Sequence, residues 1–126
     1  MAAPRPGRPA RGSSTGRPLM AALDLLGRRW TLRILWELRD GPRGARELRN
    51  RCDAMSPSVL YQRLAELGSA RLVEQDPDSR YRLTALGGSL SAAIKPLDRW
   101  AREWAAETTA LAPDLPTHRT AQRRRP

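Results

Sequence analysis

The chain has 126 residues and a formal net charge of +10, but only one cysteine, Cys52, and one histidine, His118. This length suits one domain with a modest hydrophobic core. One thiol and one distant imidazole cannot supply a disulfide framework, a cysteine-based metal cage or a common nucleophile–base pair. We therefore expect no metal, no cofactor and no enzyme activity.

Membrane insertion and secretion are also disfavoured by the sequence. No apolar run reaches the roughly 18 residues that a membrane-spanning helix needs. The N-terminus carries Arg but no apolar segment of the kind found in secretory signals. These features favour a cytoplasmic protein without membrane contact.

Positive charge is concentrated at the two ends of the chain. Residues 1–17 are rich in Arg, Pro, Gly and Ser, and residues 111–126 have a similar composition. We expect a disordered Arg/Pro-rich arm and a disordered basic tail around a folded domain at residues 18–110. Basic arms favour polyanions such as nucleic acid, although such ends can also serve only to keep a protein soluble.

Two helices are predicted at the start of the domain. Pro18 suits the first turn of a helix that ends at Gly27, and a second helix lies within "RRWTLRILWELRDGP", ended by Gly41-Pro42. Its apolar residues form two stripes, because Leu32 and Trp36 lie nearly opposite Trp30, Ile34, Leu35 and Leu38. A helix that is apolar on two sides is typical of an element packed between two partners.

The next two helices have clear start signals. "GARELRNRC" predicts a short helix with Gly44 as its N-cap, and Ser56 caps the following helix with Pro57 at its first position. In that helix three leucines recur at i, i+4 and i+7 and should face inward: Leu60, Leu64 and Leu67. The other side then presents Ser58, Tyr61, Gln62 and Ala65.

A hairpin and a long helix complete the domain. "RLVEQ" and "RYRLT" read as strands joined by "DPDS", whose Pro suits the second position of a tight turn. Thr84 can cap a last helix that continues to about Thr108 and that Pro96 should kink. Its apolar residues are spaced 4, 3, 4, 3, 4, which indicates lengthwise packing on the domain or on a second copy: Leu86, Leu90, Ala93, Leu97, Trp100 and Trp104.

This order of elements predicts a mainly α fold with a small β-hairpin, the winged helix-turn-helix. In such a domain the helix over residues 57–67 lays its polar face in the major groove of DNA. The hairpin is the wing, which lies beside the neighbouring DNA backbone or minor groove. The long C-terminal helix would supply dimer contacts.

Three sequence blocks then carry a family resemblance. They are Gly-x-x-Trp-Thr-Leu at 27–32, Ser-Pro-x-Val-Leu-x-Gln-Arg-Leu at 56–64 and Tyr-x-Leu-Thr-x-Leu-Gly at 81–87. With them, the chain from about Ala22 to Trp104 resembles the HxlR family of bacterial transcriptional regulators, which are dimeric winged-helix proteins related to the MarR type. The resemblance implies a homodimer on an inverted-repeat operator, commonly a repressor, with activation as the alternative.

The chain also departs from the pattern of that family. Redox-sensing members carry a cysteine immediately before the Pro that opens the first helix, and this chain has Arg17 there. Cys52 falls where the family has an apolar residue, which favours a buried structural thiol. Ser58 stands where the family often has a basic residue.

Candidate DNA contacts follow from the fold and the resemblance. The recognition-helix candidates are Ser56, Ser58, Tyr61, Gln62 and Arg63. For Arg63, contact with a base, contact with a phosphate and an intramolecular ion pair all stay open. The phosphate and wing candidates are Arg43, Arg46, Arg80 and Arg82, since acidic Asp76 and Asp78 at the hairpin tip should be repelled by phosphate. Arg49 and Arg51 are expected on a solvated face.

The tryptophans suggest a dimer interface or an effector site. The residues concerned are Leu32, Trp36, Leu97, Trp100 and Trp104. One hypothesis is that Trp36, Trp100 and Trp104 line a pocket for a small, planar aromatic effector. The alternative is plain packing in the dimer.

Two rival functions remain at this point. The Arg-rich tails could drive non-specific nucleic-acid binding, which would be steeply salt-dependent. A winged-helix module that binds proteins and no longer binds DNA would also fit the acidic wing and the Ser58 departure. The expected partners of the leading hypothesis are double-stranded DNA, a second copy of the chain and a small aromatic effector.

Overall fold

A computed structural model describes residues 4–7 and 17–111, without the side chain of Leu111. Five helices and two strands follow in the order α1 (Pro18–Leu26), α2 (Thr31–Glu37), α3 (Ala45–Arg51), α4 (Pro57–Ser69), β1 (Val73–Gln75), β2 (Tyr81–Leu83) and α5 (Ala85–Leu111). The predicted mainly α fold with one hairpin is confirmed. Most of the predicted disordered arm and nearly all of the basic tail, including His118, lie outside the described residues.

The chain divides into two compact units, residues 1–93 and residues 94–126, and the boundary falls inside α5. The first unit holds α1 to α4, the hairpin and the first residues of α5. The described part of the second unit is the remaining stretch of α5, residues 94–111. Pro96 lies in that stretch.

The first unit is built around a leucine-rich core. The three leucines predicted to face inward from α4 are buried, which confirms the period of that helix. Their partners come from every neighbouring element: Leu25, Ile34, Leu35, Leu38, Leu48, Cys52, Met55, Leu72 and Val73. This core fixes α4 on the preceding helices and leaves its opposite side free.

The second helix begins three residues later than the sequence pattern suggested. Arg28 and Thr31 form turn hydrogen bonds, from the Arg28 N–H to the Leu25 carbonyl and from the Thr31 N–H to the Arg28 carbonyl. Trp30 then caps α2 in the left-handed conformation, with φ of 76°. Residues 28–30 therefore form a turn, although their sequence pattern suits a helix.

The hairpin is shorter than predicted and has a third partner. Its two strands pair antiparallel, with Glu74 opposite Arg82. Arg43 adds a bridge to Tyr81 through two backbone hydrogen bonds of 2.9 and 2.8 Å. The loop between α2 and α3 thereby joins the base of the wing, which the sequence pattern did not indicate.

Gly87 explains the third sequence block in physical terms. A Cβ atom at this position would lie 2.1 Å from the Leu72 carbonyl oxygen, so only glycine permits the close approach of α5 to that segment. Thr84 also connects the start of α5 to this segment, since its hydroxyl donates to the Arg71 carbonyl at 2.7 Å and accepts from the Gly87 N–H at 3.0 Å. The predicted Thr84 cap is confirmed, and α5 runs to Leu111 instead of about Thr108.

Candidate nucleic-acid interface

The start of α4 is held by its own side-chain cap. The Ser56 hydroxyl accepts a hydrogen bond from the Val59 N–H at 3.2 Å, and Pro57 occupies the first turn. Ser58 lies beside this cap, with its hydroxyl oxygen 3.4 Å from that of Ser56. The cap both predicted from the sequence and observed here places Ser56 in a structural role at the helix end.

The side of α4 opposite the buried leucines carries exposed polar groups. Ser58, Gln62 and Ala65 are exposed, and the Tyr61 side chain is 51% exposed. Their spacing puts them on one face, opposite the buried leucines. A rigid helix with one side anchored and the other side polar has the form that major-groove recognition requires.

Arg63 lies at the edge of that face but is turned toward the protein. Its side chain is only 16% exposed, and its guanidinium donates to the Arg29 carbonyl at 2.8 Å and to Glu66 at 3.2 Å. The intramolecular ion pair, one of the alternatives left open by the sequence, is present in the structure. Arg63 therefore ties α4 to the α1–α2 turn.

Glu66 is the acceptor that these contacts share, and the sequence pattern did not point to it. Its side chain is 5% exposed and accepts from Arg28 at 3.0 Å as well as from Arg63. A buried carboxylate between two guanidinium groups is stable because each charge is paired and hydrogen-bonded. The i, i+3 spacing of Arg63 and Glu66 was a readable signal, whereas the contact with Arg28 depends on the tertiary fold.

A second network fixes the start of α3. Arg43 donates to the Glu37 carbonyl at 2.6 Å and to the Glu47 carboxylate at 2.7 Å. Glu37 is buried, and its carboxylate also accepts from Arg33 and Arg51. The Arg43 guanidinium thus binds oxygens of the protein itself, as the Arg63 guanidinium does.

Glu37 stays ionised inside this network. Burial alone would raise the pKa of its carboxyl, but the hydrogen bonds from Arg33 and Arg51 together outweigh that effect, so the pKa lies below its usual value. A carboxyl with a lowered pKa contributes stability that is lost as the pH falls through the folded-state pKa.

The remaining arginines of α3 behave differently from one another. Within the described part of the chain, Arg46 is exposed and makes no ion pair, so its guanidinium is available to a phosphate. Arg51 is exposed, as expected of a solvated face, whereas Arg49 is half-buried. Arg49 donates to the Met55 carbonyl at 3.0 Å, and Arg51 pairs with both Glu37 and Glu47 because it lies one helical turn beyond the latter.

The wing is held together by its own charges. The Asp76 carboxylate accepts from the N–H groups of Asp78 and Arg80, both at 2.9 Å, and these bonds hold the pKa of Asp76 below its usual value. Arg80 pairs with Asp76 at 3.4 Å and Arg82 with Glu74 at 3.0 Å, and both arginine side chains stay about half exposed. Asp76 is therefore turned inward to build the turn, and only Asp78 forms an exposed acidic tip.

Cys52 is fully buried in the core at the end of α3. Burial raises the pKa of its thiol, with a smaller lowering effect from the charge of Arg33. A neutral thiol without solvent access is a poor nucleophile, which supports the predicted structural role.

The tryptophans separate into two groups. In the first unit, Trp36 is partly exposed on α2 beside Leu32, and the guanidinium of Arg39 lies 3.8 Å from the centre of its ring. In the second unit, Trp100 and Trp104 stack on each other with centroids 5.7 Å apart and planes 7° from parallel. Both indoles are more than half exposed, and exposed apolar patches are typical of interaction surfaces.

The described residues contain no helix that is long and apolar enough to cross a membrane. They also contain no group of three or more His, Cys, Asp and Glu side chains that could hold a metal ion.

Comparison with known proteins identifies the family that has this architecture. The family model for the HxlR-like helix-turn-helix matches residues 25–109. The chain belongs to this family. It is 32% identical over 90 residues to the HTH-type transcriptional regulator YodB of Bacillus subtilis, a match that covers 67% of this chain and 80% of that protein.

Solved structures of the family share its fold. Quinone-bound YodB from B. subtilis superposes with a TM-score of 0.63 at 33% identity, covering 68% of this chain and 94% of that one. A possible HxlR family transcriptional factor from Thermoplasma volcanium superposes with a TM-score of 0.62 at 25% identity, covering 71% and 85%. This HxlR-family chain is accordingly a DNA-binding transcriptional regulator with a winged helix-turn-helix fold, in a family of regulators and not of enzymes.

Proposed function

We propose that this HxlR-family protein is a cytoplasmic homodimer that binds an inverted-repeat operator and represses transcription there. The observation that carries the proposal is the exposed polar face of α4, presented by a helix whose other face is buried in the core. Two such helices related by a two-fold axis would enter major grooves about 34–36 Å apart. Repression would follow from exclusion of the polymerase at the operator.

Within the proposed interface, we assign different roles to the candidate residues. Gln62 and Tyr61 are exposed at the centre of the face and would contact bases and backbone, with Ser58 beside them. Arg46 would contact a phosphate, since its guanidinium is free of ion pairs within the described residues. Arg43 and Arg63 would act by holding α3 and α4 in place, because their guanidinium groups already bind protein oxygens.

Replacing Gln62 by Ala is expected to lower the preference for the operator by about 1–3 kcal/mol, because a glutamine amide can bind an adenine edge through two hydrogen bonds. The measurement is the ratio of dissociation constants for the protein's own upstream DNA and scrambled DNA, by fluorescence anisotropy at two salt concentrations. Affinity for scrambled DNA should change little, since the charge of the protein is the same.

Arg46→Gln is the matched control for a contact that does not read sequence. It should weaken binding to both DNAs alike and reduce the dependence of log Kd on log salt by about one. A Gln62→Ala protein that keeps the full operator preference would contradict the assignment of this face to base recognition. Equal, steeply salt-dependent binding of the unaltered protein to both DNAs would instead favour non-specific binding.

The signal that controls this regulator is proposed to be a small aromatic molecule and not an oxidant. The YodB structure described above contains a quinone. Candidate partners of an aromatic ligand are exposed in each unit by itself, Trp36 in the first and the stacked Trp100 and Trp104 in the second, whereas the one thiol is buried. Tryptophan fluorescence during titration with a planar aromatic molecule that is not itself an oxidant would report such binding.

Oxidation of Cys52 is therefore expected to have no regulatory effect. Treatment of the folded protein with hydrogen peroxide should leave its operator affinity within about twofold, because a buried thiol with a raised pKa is protected from oxidants. Cys52→Ala is the control protein. Loss of operator affinity on peroxide treatment in the unaltered protein, with none in Cys52→Ala, would show that thiol sensing does operate.

A further inference from the structure

The second apolar stripe of α2 is exposed on the first unit. It consists of Leu32 and Trp36, which lie about one helical turn apart and are both partly exposed. The first stripe of the same helix is buried in the core. A helix that is apolar on two sides is typical of an element packed between two partners. The core is one partner, and recognition of DNA by α4 does not use the second stripe.

Positive charge lies beside this α2 stripe. The Arg39 guanidinium lies 3.8 Å from the centre of the Trp36 ring, and Asp40 is 3.7 Å from the same guanidinium. Arg29, in the turn before α2, is exposed and forms no ion pair with the residues that the structure describes. Arg33 is also exposed on α2, although it pairs with acids of the first unit. The surface around the α2 stripe is therefore more basic than acidic.

The second unit carries an apolar stripe with the opposite charge beside it. This α5 stripe consists of Leu97, Trp100 and Trp104, which lie on one side of the helix and are at least half exposed. The helical repeat places Glu103 and Glu107 along one edge of that side. Neither glutamate forms an ion pair within the described part of the chain. The basic residues of this stretch lie away from the stripe: Lys95, Arg99 and Arg102.

We propose that the α5 stripe of one copy packs on the α2 stripe of its partner in the homodimer proposed above, on which this inference rests. The contact joins two molecules, and each of its two surfaces lies within one unit. Both stripes have large apolar side chains one helical turn apart, the spacing by which ridges of one helix enter the grooves of another. In this contact the acidic edge formed by Glu103 and Glu107 would lie against Arg39.

Charge favours α2 over α1 as the receiving surface. Leu19 and Leu23 form an exposed apolar face on α1. The charged residue of that helix is Asp24, which is an acid, so α1 offers no cation to the acidic edge of the α5 stripe.

The size of the contact suits a stable dimer. A two-fold axis makes the contact occur twice, so that it covers all six indoles of Trp36, Trp100 and Trp104. Covering six half-exposed indoles removes roughly 450–750 Å² from water. The leucines of both stripes add to this area, and together they supply a large part of the about 1,200–2,000 Å² that a stable interface buries.

The first test is photo-crosslinking in the full chain. Leu32 is replaced by p-benzoylphenylalanine, and this copy is mixed with an isotope-labelled unaltered copy, so that mass spectrometry separates crosslinks between copies from crosslinks within one. Labelled peptides from residues 97–107 are the expected products. Crosslinks to the labelled α1 or α2, or none between copies of a protein that sediments as a dimer, would overturn the proposal.

The second test is the dissociation constant of the dimer, measured by sedimentation equilibrium. Trp36→Glu is expected to raise it at least about a hundredfold, because a carboxylate would lose its hydration in both copies of the contact. Gln75→Glu is the matched control, since it makes the same change of charge at an exposed position of the wing and should leave the constant unchanged.

Charge reversal checks the same contact at an exposed residue, where a substitution does not disturb the core. Arg39→Glu should weaken the dimer about tenfold, since the ion pair is lost twice. Adding Glu103→Arg/Glu107→Arg to the same chain should restore it. Unchanged dimers in both Trp36→Glu and Arg39→Glu would overturn this contact and leave the homodimer intact, whereas an unaltered protein that stays monomeric would overturn both.

Discussion

Replacing Glu66 by Ala is expected to lower the free energy of unfolding by about 3–5 kcal/mol, the range found when one partner of a buried ion pair is removed. Glu66 accepts hydrogen bonds from Arg28 and Arg63 with almost no exposure to water. Without it, Arg63 keeps the Arg29 carbonyl and Arg28 keeps Asp24 at 4.0 Å, but both guanidinium groups lose the buried carboxylate that they share. The expected fall in Tm is at least about 12 °C for a domain of this size.

Glu74→Ala provides the matched control. Glu74 also pairs with an arginine at 3.0 Å, but both side chains of that pair are about half exposed on the wing. An exposed pair contributes only about 0–1 kcal/mol. Thermal unfolding of both variants at one protein concentration gives the comparison, and equal Tm values for Glu66→Ala and Glu74→Ala would refute the anchoring role of Glu66.

Several features of the fold could be predicted from the sequence because they depend on local rules. The cap at Ser56, the inward leucines of α4 and the hairpin turn at Asp76-Pro77 follow local rules of spacing and turn chemistry, and all were predicted and found. Such features depend on neighbours within a few residues. They are therefore readable from one sequence.

The electrostatic scaffold behind the recognition face could not be read in the same way. Arg28 and Glu66 are 38 residues apart, and Arg43 reaches the wing through its backbone, so both contacts exist only in the folded chain. For this reason the sequence assigned Arg43 and Arg63 to DNA as readily as Arg46. The folded structure is needed to see that Arg43 and Arg63 bind protein oxygens, whereas Arg46 forms no ion pair with the described residues.

The largest effect on DNA binding is expected from Trp100→Glu. Leu97, Trp100 and Trp104 lie on one side of α5 in the second unit, and all three are at least half exposed. A helix with such an apolar stripe is stabilised chiefly by packing against another element. In the proposed homodimer that element is a second copy of the chain, and a carboxylate at position 100 would have to lose its hydration inside the interface.

The Trp100→Glu protein is expected to sediment as a monomer and to bind the operator about 10²–10⁴-fold more weakly, because the two half-sites are no longer engaged by linked subunits. Its first unit should remain folded, since the core of that unit does not include Trp100. Arg102→Gln is the control: it makes the net charge of the same helix more negative by the same amount, on the side opposite the stripe, and should sediment and bind as the unaltered protein does. If Trp100→Glu stays dimeric, the stripe is not the dimer interface, and its exposed indoles are left as candidates for the effector site alone.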